Sequence, residues 1–363
     1  MKKIYVVVGT RPNFIKVSQL QVHAAHYGFS VEMIHTGQHY DEALSRVFFK
    51  QFGMEPDHFL SIPSSQTGAD PSIMQEAILS FLQSQERPDL LLVVGDVHST
   101  RAAAEAGHAL HIPLAHLESG LRSFDNTMPE EENRIIADAL STFHFTTEPA
   151  AAENLQNENI SADSIFYIGN TMIDTLVAFE HQIQTSKVLD DLHIDKQKYI
   201  LITLHRPSNV DDKKSLQKCI DAISVASTYF PVVFPLHPRT EKRAKEFGLF
   251  ASLEQIPHIR LCGPMDYFAF QKCIAHATCV ITDSGGIQEE TTFRKVPCLT
   301  LRANTERPVT VTEGTNTLIH WDETSLQTYL QEIISGRYKV GSIPALWDGH
   351  ATERMFQVLS AVL

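Results

Sequence analysis

The chain has 363 residues, more than one hydrophobic core ordinarily accommodates, so two domains are expected. Its 30 Lys and Arg against 43 Asp and Glu give a net charge of −13, which argues against a nucleic-acid or anionic-membrane partner. Five cysteines, an odd number without a CxxC pair, argue against a disulfide framework or a zinc ribbon and predict reduced thiols in a cytoplasmic protein.

The first predicted strand is the apolar run KIYVVVGT, which is too short for a signal-peptide core and meets Arg11-Pro12 at once. Further apolar runs follow at residues 31–37, 89–96, 112–119 and 141–148, with helical segments at 101–110 and 131–140. The runs are rich in Val, Ile and Leu and lack strict polar alternation, which is typical of parallel strands covered on both faces. No apolar run approaches the ~20 residues of a membrane span.

The second half repeats this alternation of strands and helices. Its apolar runs lie at residues 199–205, 231–237, 258–263, 278–284 and 296–302, and a helical segment covers 288–295. The sequence therefore predicts an α/β protein with two doubly wound parallel-sheet domains of five or six strands each. We expect a Rossmann-like N-terminal domain at 1–170, a Rossmann-like C-terminal domain at 171–345, and a last helix within 346–363 that packs back on the first domain.

Polar residues follow the predicted strands, where ligands bind in open parallel sheets. In the first half these are Gly9-Thr10-Arg11, Gly95-Asp96 and Glu118, and in the second half they include His205, His237 and Asp283 to Gly286. Two facing sheets with such strand ends predict one ligand cleft between the domains.

The first strand end favours a phosphate contact, although an ordinary βα turn with a solvated arginine explains it equally well. Gly9 permits a tight turn, and Arg11 and Lys16 follow at a helix start with free N–H donors. The GxGxxG and GxxxxGK[ST] motifs are absent, so dinucleotide and P-loop chemistry lack their usual motifs.

Carboxylates at two successive strand ends, Asp96 and Glu118, suit general acid/base work, because crowded carboxylates raise one another's pKa. Glu130, Glu131 and Glu132 follow at a helix start, where acids are common for dipole reasons alone. No metal site is predicted, since His108 and His111 lack a third ligand and an HExxH motif.

The stretch CVITDSGGIQEE allows two interpretations. A serine nucleophile at Ser284 would need an antiparallel barrel or a GxSxG elbow, and the chain has neither pattern. A strand, a glycine pair and a helix start predict a phosphate cradle, with Glu289 and Glu290 one turn further for ribose hydroxyls.

Seven motifs occur in order over nearly the whole chain: GTRPNFIK, HTGQHYD, GDVHST, HLESGLRSFDNTMPEEENR, TLHRPSN, TDSGGIQEE and TERPVTVTEGTN. Together they resemble the non-hydrolysing UDP-N-acetylglucosamine 2-epimerase family. The resemblance implies the GT-B fold, a homodimer, and an isomerase that eliminates UDP to a glycal and re-adds it with the C2 proton on the other face. It implies no redox cofactor.

The resemblance also implies roles for individual residues. The family's acid/base carboxylates correspond to Asp96, Glu118 and Glu130, and its active-site histidine corresponds to His205. The diphosphate contacts correspond to Arg11, Ser284, Gly285 and Gly286, the ribose contact to Glu289 and the uracil contact to Phe270. Further substrate-binding candidates are Lys16, Gln38, Arg134, His237 and Arg307.

Departures from the family pattern at His98, Ser119 and Pro207-Ser208 leave the sugar open. The expected reaction interconverts UDP-GlcNAc and UDP-ManNAc for surface polysaccharide, and a modified substrate such as UDP-2,3-diacetamido-2,3-dideoxyglucuronate is the second hypothesis. The sequence also leaves open a GT-B glycosyltransferase, a hydrolysing epimerase, a non-catalytic nucleotide-sugar module, and activation by a second UDP-GlcNAc molecule.

Overall fold

The computed structural model describes residues 1–37, 42–60, 62, 71–320 and 323–363, with the backbone alone for 42–46 and 323. The described chain divides into two compact units. The first unit comprises Met1–Ala178 and Ala345–Leu363, and the second comprises Phe179–Pro344.

The helices and strands are numbered in chain order. Up to Ala178 they are β1 (Lys2–Val8), α1 (Arg11–Val17), α2 (Leu20–Ala24), β2 (Phe29–His35), α3 (Glu42–Phe52), β3 (His58–Phe59), α4 (Pro71–Ser84), β4 (Leu90–Val94), α5 (His98–Ala109), β5 (Leu114–Leu117), α6 (Pro129–Leu140), β6 (Phe143–Thr146), α7 (Pro149–Asn157), β7 (Ile165–Tyr167) and α8 (Thr171–Ala178). Short 3₁₀ helices lie at Ala25–Tyr27 and Ala162–Ser164.

The elements that follow are mostly those of the second unit. They are α9 (Glu180–Thr185), α10 (Val188–Asp191), β8 (Ile200–Thr203), α11 (Pro207–Val210), α12 (Lys213–Ser227), β9 (Val232–Pro235), α13 (Pro238–Glu246), α14 (Phe250–Glu254), β10 (Ile259–Cys262), α15 (Tyr267–Ala275), β11 (Cys279–Thr282), α16 (Gly285–Arg294), β12 (Cys298–Leu301), α17 (Val309–Thr312), β13 (Asn316–Ile319) and α18 (Glu323–Ile334). The last helix, α19 (Ala351–Val362), belongs to the first unit.

Both sheets are parallel and doubly wound. Within the described residues the first sheet has seven strands in the order β3-β2-β1-β4-β5-β6-β7, and the second has six in the order β10-β9-β8-β11-β12-β13. The chain reverses its direction of winding between β1 and β4 in the first sheet and between β8 and β11 in the second. Ligands of doubly wound sheets bind at these switch points, beyond the carboxyl ends of the strands.

The central strands form because their residues can be buried on both faces. All five residues of β4 and all four of β11 are buried. Helices on either side supply the covering layers. On one face, residues of β8, β9 and β11 such as Ile200, Val232 and Ile281 form a core cluster with α12, and on the other face Leu201 and Val280 pack in a second cluster with α15.

Three details differ from the sequence-based expectation. Within the described residues the first sheet has seven strands rather than five or six, because β3 and β7 have only two and three residues, too few to show a strand pattern. Strand β13 was missed because Asn316 and Thr317 interrupt its apolar character. Helix α16 begins at Gly285 instead of Gln288, so both glycines lie in its first turn.

The first unit extends past residue 170 because α8 packs on α1. The hydroxyl groups of Thr175 and Ser18 lie 2.7 Å apart. The Asp174 carboxylate of α8 accepts hydrogen bonds from the backbone N–H groups of Ala351 (3.0 Å) and Thr352 (2.6 Å), so it caps α19 and attaches the end of the chain to this unit. Among the helices of the described ranges, none is long and apolar enough to cross a lipid bilayer.

Candidate active site

Asn13 fixes the ends of β1 and β4 beside each other at the first switch point. Its Oδ1 accepts hydrogen bonds from the backbone N–H groups of Gly9 and Thr10, each at 3.1 Å, and its Nδ2 donates to the Val94 carbonyl at 3.0 Å. Gly9 leaves no room for a side chain, because a Cβ there would lie 2.9 Å from the Cβ of Ser99. Arg11, the half-buried first residue of α1, therefore follows a strand end held in close contact with its neighbour.

Lys16 and Glu118 form a buried ion pair beside Gly95. Both side chains are less than a tenth exposed, and a Cβ at Gly95 would lie 3.1 Å from the Lys16 Nζ and 3.4 Å from a Glu118 carboxylate oxygen. Glu118 also has a φ of 71°, a left-handed conformation that is strained for a residue with a side chain. Such strain is concentrated at functional sites, and the adjacent ammonium group favours the ionised form of Glu118.

Helix α6 holds Asp96 by its side chain and its backbone. The guanidinium of Arg134, only 1% exposed, pairs with the Asp96 carboxylate. The neighbouring Asn133 donates to the Asp96 carbonyl at 2.8 Å and lies 3.4 Å from the ring of His98. Asp96 itself is half-buried, so its carboxylate is oriented while still reached by solvent.

The three successive glutamates at the start of α6 have different surroundings. Glu131 is buried and accepts hydrogen bonds from the backbone of Ser123 (2.8 Å) and Phe124 (3.0 Å). Glu132 is exposed and pairs with Arg101 at 3.0 Å. Glu130, the predicted acid/base residue, is half-buried in the first turn. The structure thus assigns a structural role to Glu131 alone.

Asp283 orients His205 at the second switch point. Its buried carboxylate accepts from the backbone N–H groups of His205 and Arg206, each at 2.9 Å, and pairs with the His205 Nδ1 at 2.8 Å. Burial alone would raise the pKa of Asp283, but His205 and these amide donors lower it to about 2. The His205 side chain is 40% exposed, and because Asp283 binds Nδ1, Nε2 is the ring nitrogen that can contact a ligand.

Two other predicted contacts lie on neighbouring helices of this unit. His237 caps α13, where its Nδ1 accepts from the Arg239 N–H at 3.2 Å, and its ring centre lies 5.4 Å from that of His205. Phe270 on α15 is half-buried against a core cluster that includes Tyr199 and Ile274.

The first turn of α16 has the features of an anion site. Ser284 is its N-cap residue but makes no capping hydrogen bond with its side chain, so its hydroxyl does not occupy the first N–H donors. A Cβ at Gly285 would lie 2.7 Å from the Arg307 Nη1 and 2.9 Å from a Glu306 oxygen. Arg307 thus packs directly on the helix N-terminus, and a side chain at position 285 would require the ends of Arg307 and Glu306 to shift.

Arg307 belongs to a buried cluster of charges. Its Nε lies 2.8 Å from the Glu289 carboxylate and its Nη1 lies 2.7 Å from Glu306, which also pairs with Arg302 at 2.8 Å. Arg206 approaches Glu306 to 3.9 Å. Three arginines therefore lie beside the N–H donors of α16, held by two glutamates, and guanidinium groups and N–H donors together suit a diphosphate.

Glu289 and Glu290, the two acids of the SGGIQEE motif, have different environments. The Glu289 carboxylate binds Arg307, whereas Glu290 is buried close to Gln271 and Arg294. Burial raises the pKa of Glu290 to about 7, although Gln271 and Arg294 act in the opposite direction. The ribose contact predicted for Glu289 stays a prediction, and Glu290 is the acid of the pair that does not bind Arg307.

Replacing Glu290 by glutamine is expected to stabilise the protein at high pH. The folded state binds the Glu290 proton more tightly than the unfolded state, so wild-type stability falls as pH rises from about 4.5 to about 7. Glutamine mimics the protonated acid, and the gain should reach at most ~3 kcal/mol at pH 8 and shrink toward pH 5. Thermal unfolding of wild type and Glu290→Gln across this range measures the difference.

Glu289→Gln is the matched control, because it replaces one of the two carboxylates that bind the buried Arg307 by a neutral group and leaves Glu306 in place. This variant should be less stable than wild type at every pH above 5. A Glu290→Gln protein that is destabilised equally at pH 5 and pH 8 would contradict the assignment.

Several residues that shape the site were not predicted as such. Asn13, Asp283 and Glu306 act through hydrogen bonds and ion pairs with the predicted residues. The sequence places Asp283 among the polar residues that follow the strands, but nothing in the sequence indicates its pairing with His205. Gln38 lies outside the described residues.

The two doubly wound parallel-sheet units define an α/β protein of the GT-B type. Carboxylates lie at the switch point of the first sheet, and a helix N-terminus flanked by arginines lies at that of the second, which suits a phosphorylated ligand. A family model described as UDP-N-acetylglucosamine 2-epimerase matches residues 21–360. The chain belongs to the UDP-N-acetylglucosamine 2-epimerase family.

Individual relatives cover most of the chain. A UDP-N-acetylglucosamine 2-epimerase homolog of Methanococcus maripaludis is 41% identical over 87% of this chain and 88% of its own. A UDP-2,3-diacetamido-2,3-dideoxy-D-glucuronate 2-epimerase of Pseudomonas aeruginosa is 37% identical over 87% and 88%. The crystal structure of the Methanocaldococcus jannaschii UDP-GlcNAc 2-epimerase in complex with UDP-GlcNAc and UDP is 34% identical, covers 99% of both chains and has a TM-score of 0.89.

Proposed function

We propose that the protein is a non-hydrolysing epimerase that interconverts UDP-GlcNAc and UDP-ManNAc. The observation that carries this proposal is the pair of carboxylates at adjacent strand ends, Asp96 and Glu118, each held by a buried cation. Family membership supports the same substrate class.

The proposed first half of the reaction is an elimination. One carboxylate removes the proton from C2, the C2–H electron pair forms the C1=C2 double bond, and the C1–O bond breaks so that UDP leaves with its electron pair. The products are UDP and a 2-acetamidoglycal. The C2–H is not alpha to a carbonyl and is poorly acidic, so the reaction depends on an oriented base and a stabilised leaving group.

The second half reverses these steps, except that the proton returns to C2 on the opposite face while UDP rejoins C1 on the face from which it left. A carboxyl group delivers a proton to C2, and a phosphate oxygen re-forms the bond to C1. Two proton carriers are therefore needed, and Asp96, Glu118 and Glu130 are the candidates. Glu118, paired with Lys16, is expected to start as a carboxylate and therefore as a base.

The second unit is proposed to hold UDP and to stabilise the charge on the departing phosphate. Arg307, the first N–H groups of α16 and His205 supply positive charge and donors, and Asp283 and Glu306 keep them in place. Ser284, Gly285 and Gly286 are proposed to contact the β-phosphate, Phe270 to pack on uracil, and Glu289 or Glu290 to accept from the ribose. Arg11, Lys16, Gln38, Arg134 and His237 are the remaining proposed substrate contacts.

A second candidate substrate is UDP-2,3-diacetamido-2,3-dideoxyglucuronate. It is favoured by the Pseudomonas aeruginosa 2-epimerase, whose identity to this chain is close to that of the UDP-GlcNAc 2-epimerase relatives. The reaction at C2 would be the same, so the choice concerns the groups at C3 and C5 of the sugar.

A panel of UDP-sugars followed by proton NMR tests both substrates. We expect a C2 epimer to form from UDP-GlcNAc, with no free sugar accumulating. Epimer formation from the diacetamido sugar alone would replace the first proposal by the second. Free ManNAc would indicate a hydrolysing enzyme, and the absence of an epimer with every substrate would reject both.

We also propose that the enzyme is a cytoplasmic homodimer that supplies precursors of surface polysaccharide. The odd number of cysteines and the absence of a CxxC pair support the compartment, and family membership supports the other two points. Sedimentation equilibrium of the full chain tests the dimer.

A further inference from the structure

His116 is a buried histidine on β5 with a hydrogen-bond acceptor at each ring nitrogen. Its Nδ1 lies 2.6 Å from the Asp138 carboxylate, and its Nε2 lies 2.7 Å from the carbonyl oxygen of Gly95. Both partners are hydrogen-bond acceptors, so each ring nitrogen faces an acceptor to which an N–H would donate. The ring is fully shielded from solvent.

Charged groups surround the His116–Asp138 pair. Arg122 lies 2.7 Å from the Asp138 carboxylate and also binds Glu158 through two nitrogens, at 2.6 and 2.7 Å. Burial alone would raise the pKa of Asp138, but His116 and Arg122 hold it well below its usual range. A carboxylate that is paired and hydrogen-bonded in this way escapes the cost of an isolated buried charge.

The His116–Asp138 pair connects the three elements that carry the proposed acid/base residues. Gly95, whose carbonyl His116 binds, immediately precedes Asp96 at the end of β4. His116 lies on β5, two residues before Glu118, which directly follows the strand. Asp138 lies on α6, which carries Glu130 and Arg134, and it accepts from the Gly120 N–H at 3.1 Å.

We propose that the His116–Asp138 pair positions the acid/base carboxylates relative to one another. The inference rests on the proposed epimerase function. His116 is too deeply buried to touch a substrate, so it acts through the Gly95 carbonyl and the end of β5 and is a positioning residue. Proton transfer depends steeply on geometry, and a displacement of ~1 Å can cost ~10²-fold in rate.

The network lies entirely in the first unit, whereas the residues proposed to hold UDP mainly lie in the second. Loss of the pair should therefore slow the chemistry and leave nucleotide affinity unchanged. A glutamine at His116 can donate to one acceptor only and would set its own oxygen against the other.

The test uses His116→Gln and His116→Asn, with Ser119→Ala as the matched control. Ser119 donates to the same Asp138 oxygen, but its loss leaves the contact with Gly95 intact. For each full-length variant we would measure kcat and KM for epimerisation, the Kd for UDP, the isotope effect with 2-deuterated UDP-GlcNAc, and the melting temperature.

We expect the His116 variants to lose ~10²-fold in kcat, with KM and the UDP Kd within about threefold of wild type and an isotope effect at least as large. Ser119→Ala should stay within about threefold in kcat. A folded His116 variant with wild-type kcat would overturn the proposal. So would a variant whose affinity for UDP falls by the same factor as its kcat. Unfolding of both variants at the assay temperature would also overturn it, since the pair would then serve folding. A wild-type enzyme without epimerisation would instead reject the proposed function.

Discussion

Replacing Asp96 by asparagine is expected to lower kcat by ~10²–10⁴-fold, because the variant keeps the shape of the side chain and loses its ability to carry a proton. Asp96 is half-buried, and Arg134 and Asn133 orient it, so its carboxylate is available to a substrate in a fixed direction. Exchange of the C2 proton should fall by the same factor as kcat. The Kd for UDP should stay within about threefold of wild type, because UDP is proposed to bind the second unit.

Glu132→Gln is the matched control for this experiment. Glu132 lies on the same helix as Arg134, but its carboxylate is two-thirds exposed and pairs with Arg101 on the surface. This variant should retain wild-type kcat, since an exposed ion pair contributes at most ~1 kcal/mol to stability. Full turnover by Asp96→Asn would remove Asp96 from the mechanism and leave Glu118 and Glu130 as the proton carriers.

Replacing Gly285 by valine is expected to weaken UDP binding by at least ~10²-fold. The new Cβ would lie 2.7 Å from the Arg307 Nη1 and 2.9 Å from a Glu306 oxygen, so Arg307 must move and the ion pairs around it are disturbed. The side chain would also crowd the N–H donors of the first turn of α16. Loss of one or two charge-assisted contacts to phosphate corresponds to ~1.5–3 kcal/mol each.

Calorimetry with UDP and with uridine separates the phosphate contact from the rest of the nucleotide site. Gly285→Val should weaken UDP far more than uridine. Gly263→Ala is the control, because a Cβ at Gly263 meets no atom within 4 Å. Equal weakening of both ligands would point to misfolding of the second unit, and unchanged UDP affinity would exclude the start of α16 as the phosphate site.

The strand ends were predictable because the fold places them by simple rules. A short run of β-branched and leucine residues such as LLLVV, followed at once by glycine, favours the centre of a parallel sheet, and the polar residues that follow then lie at its carboxyl edge. Asp96, Glu118 and His205 follow from this rule without any reference to the family. The ordered motifs then supplied the substrate class, which strand patterns alone do not encode.

Side-chain partners were harder to predict, because they depend on contacts between distant residues. The residues next to Glu130, Glu131 and Glu132 do not show which of the three is buried. Only the helical face that Glu131 shares with Arg134 and Asp138 indicates that Glu131 is the buried one. The pairing of Lys16 with Glu118 spans 102 positions, and that of Arg307 with Glu289 depends on a loop between strands. Short strands such as β3 are also hard to predict, because two residues are too few to show a periodic pattern.

Incubation of the enzyme with UDP-GlcNAc in D2O, without any acceptor, tests the central claim most directly. The proposed mechanism removes the C2 proton and returns one from a protein carboxyl group, whose proton exchanges with solvent. We therefore expect one deuterium at C2 of the UDP-ManNAc formed, and progressively also at C2 of the remaining UDP-GlcNAc. NMR and mass spectrometry detect this label without separating the products. Epimerisation without deuterium at C2, or consumption of UDP-GlcNAc with C2 unlabelled, would contradict the elimination mechanism and the roles of Asp96 and Glu118.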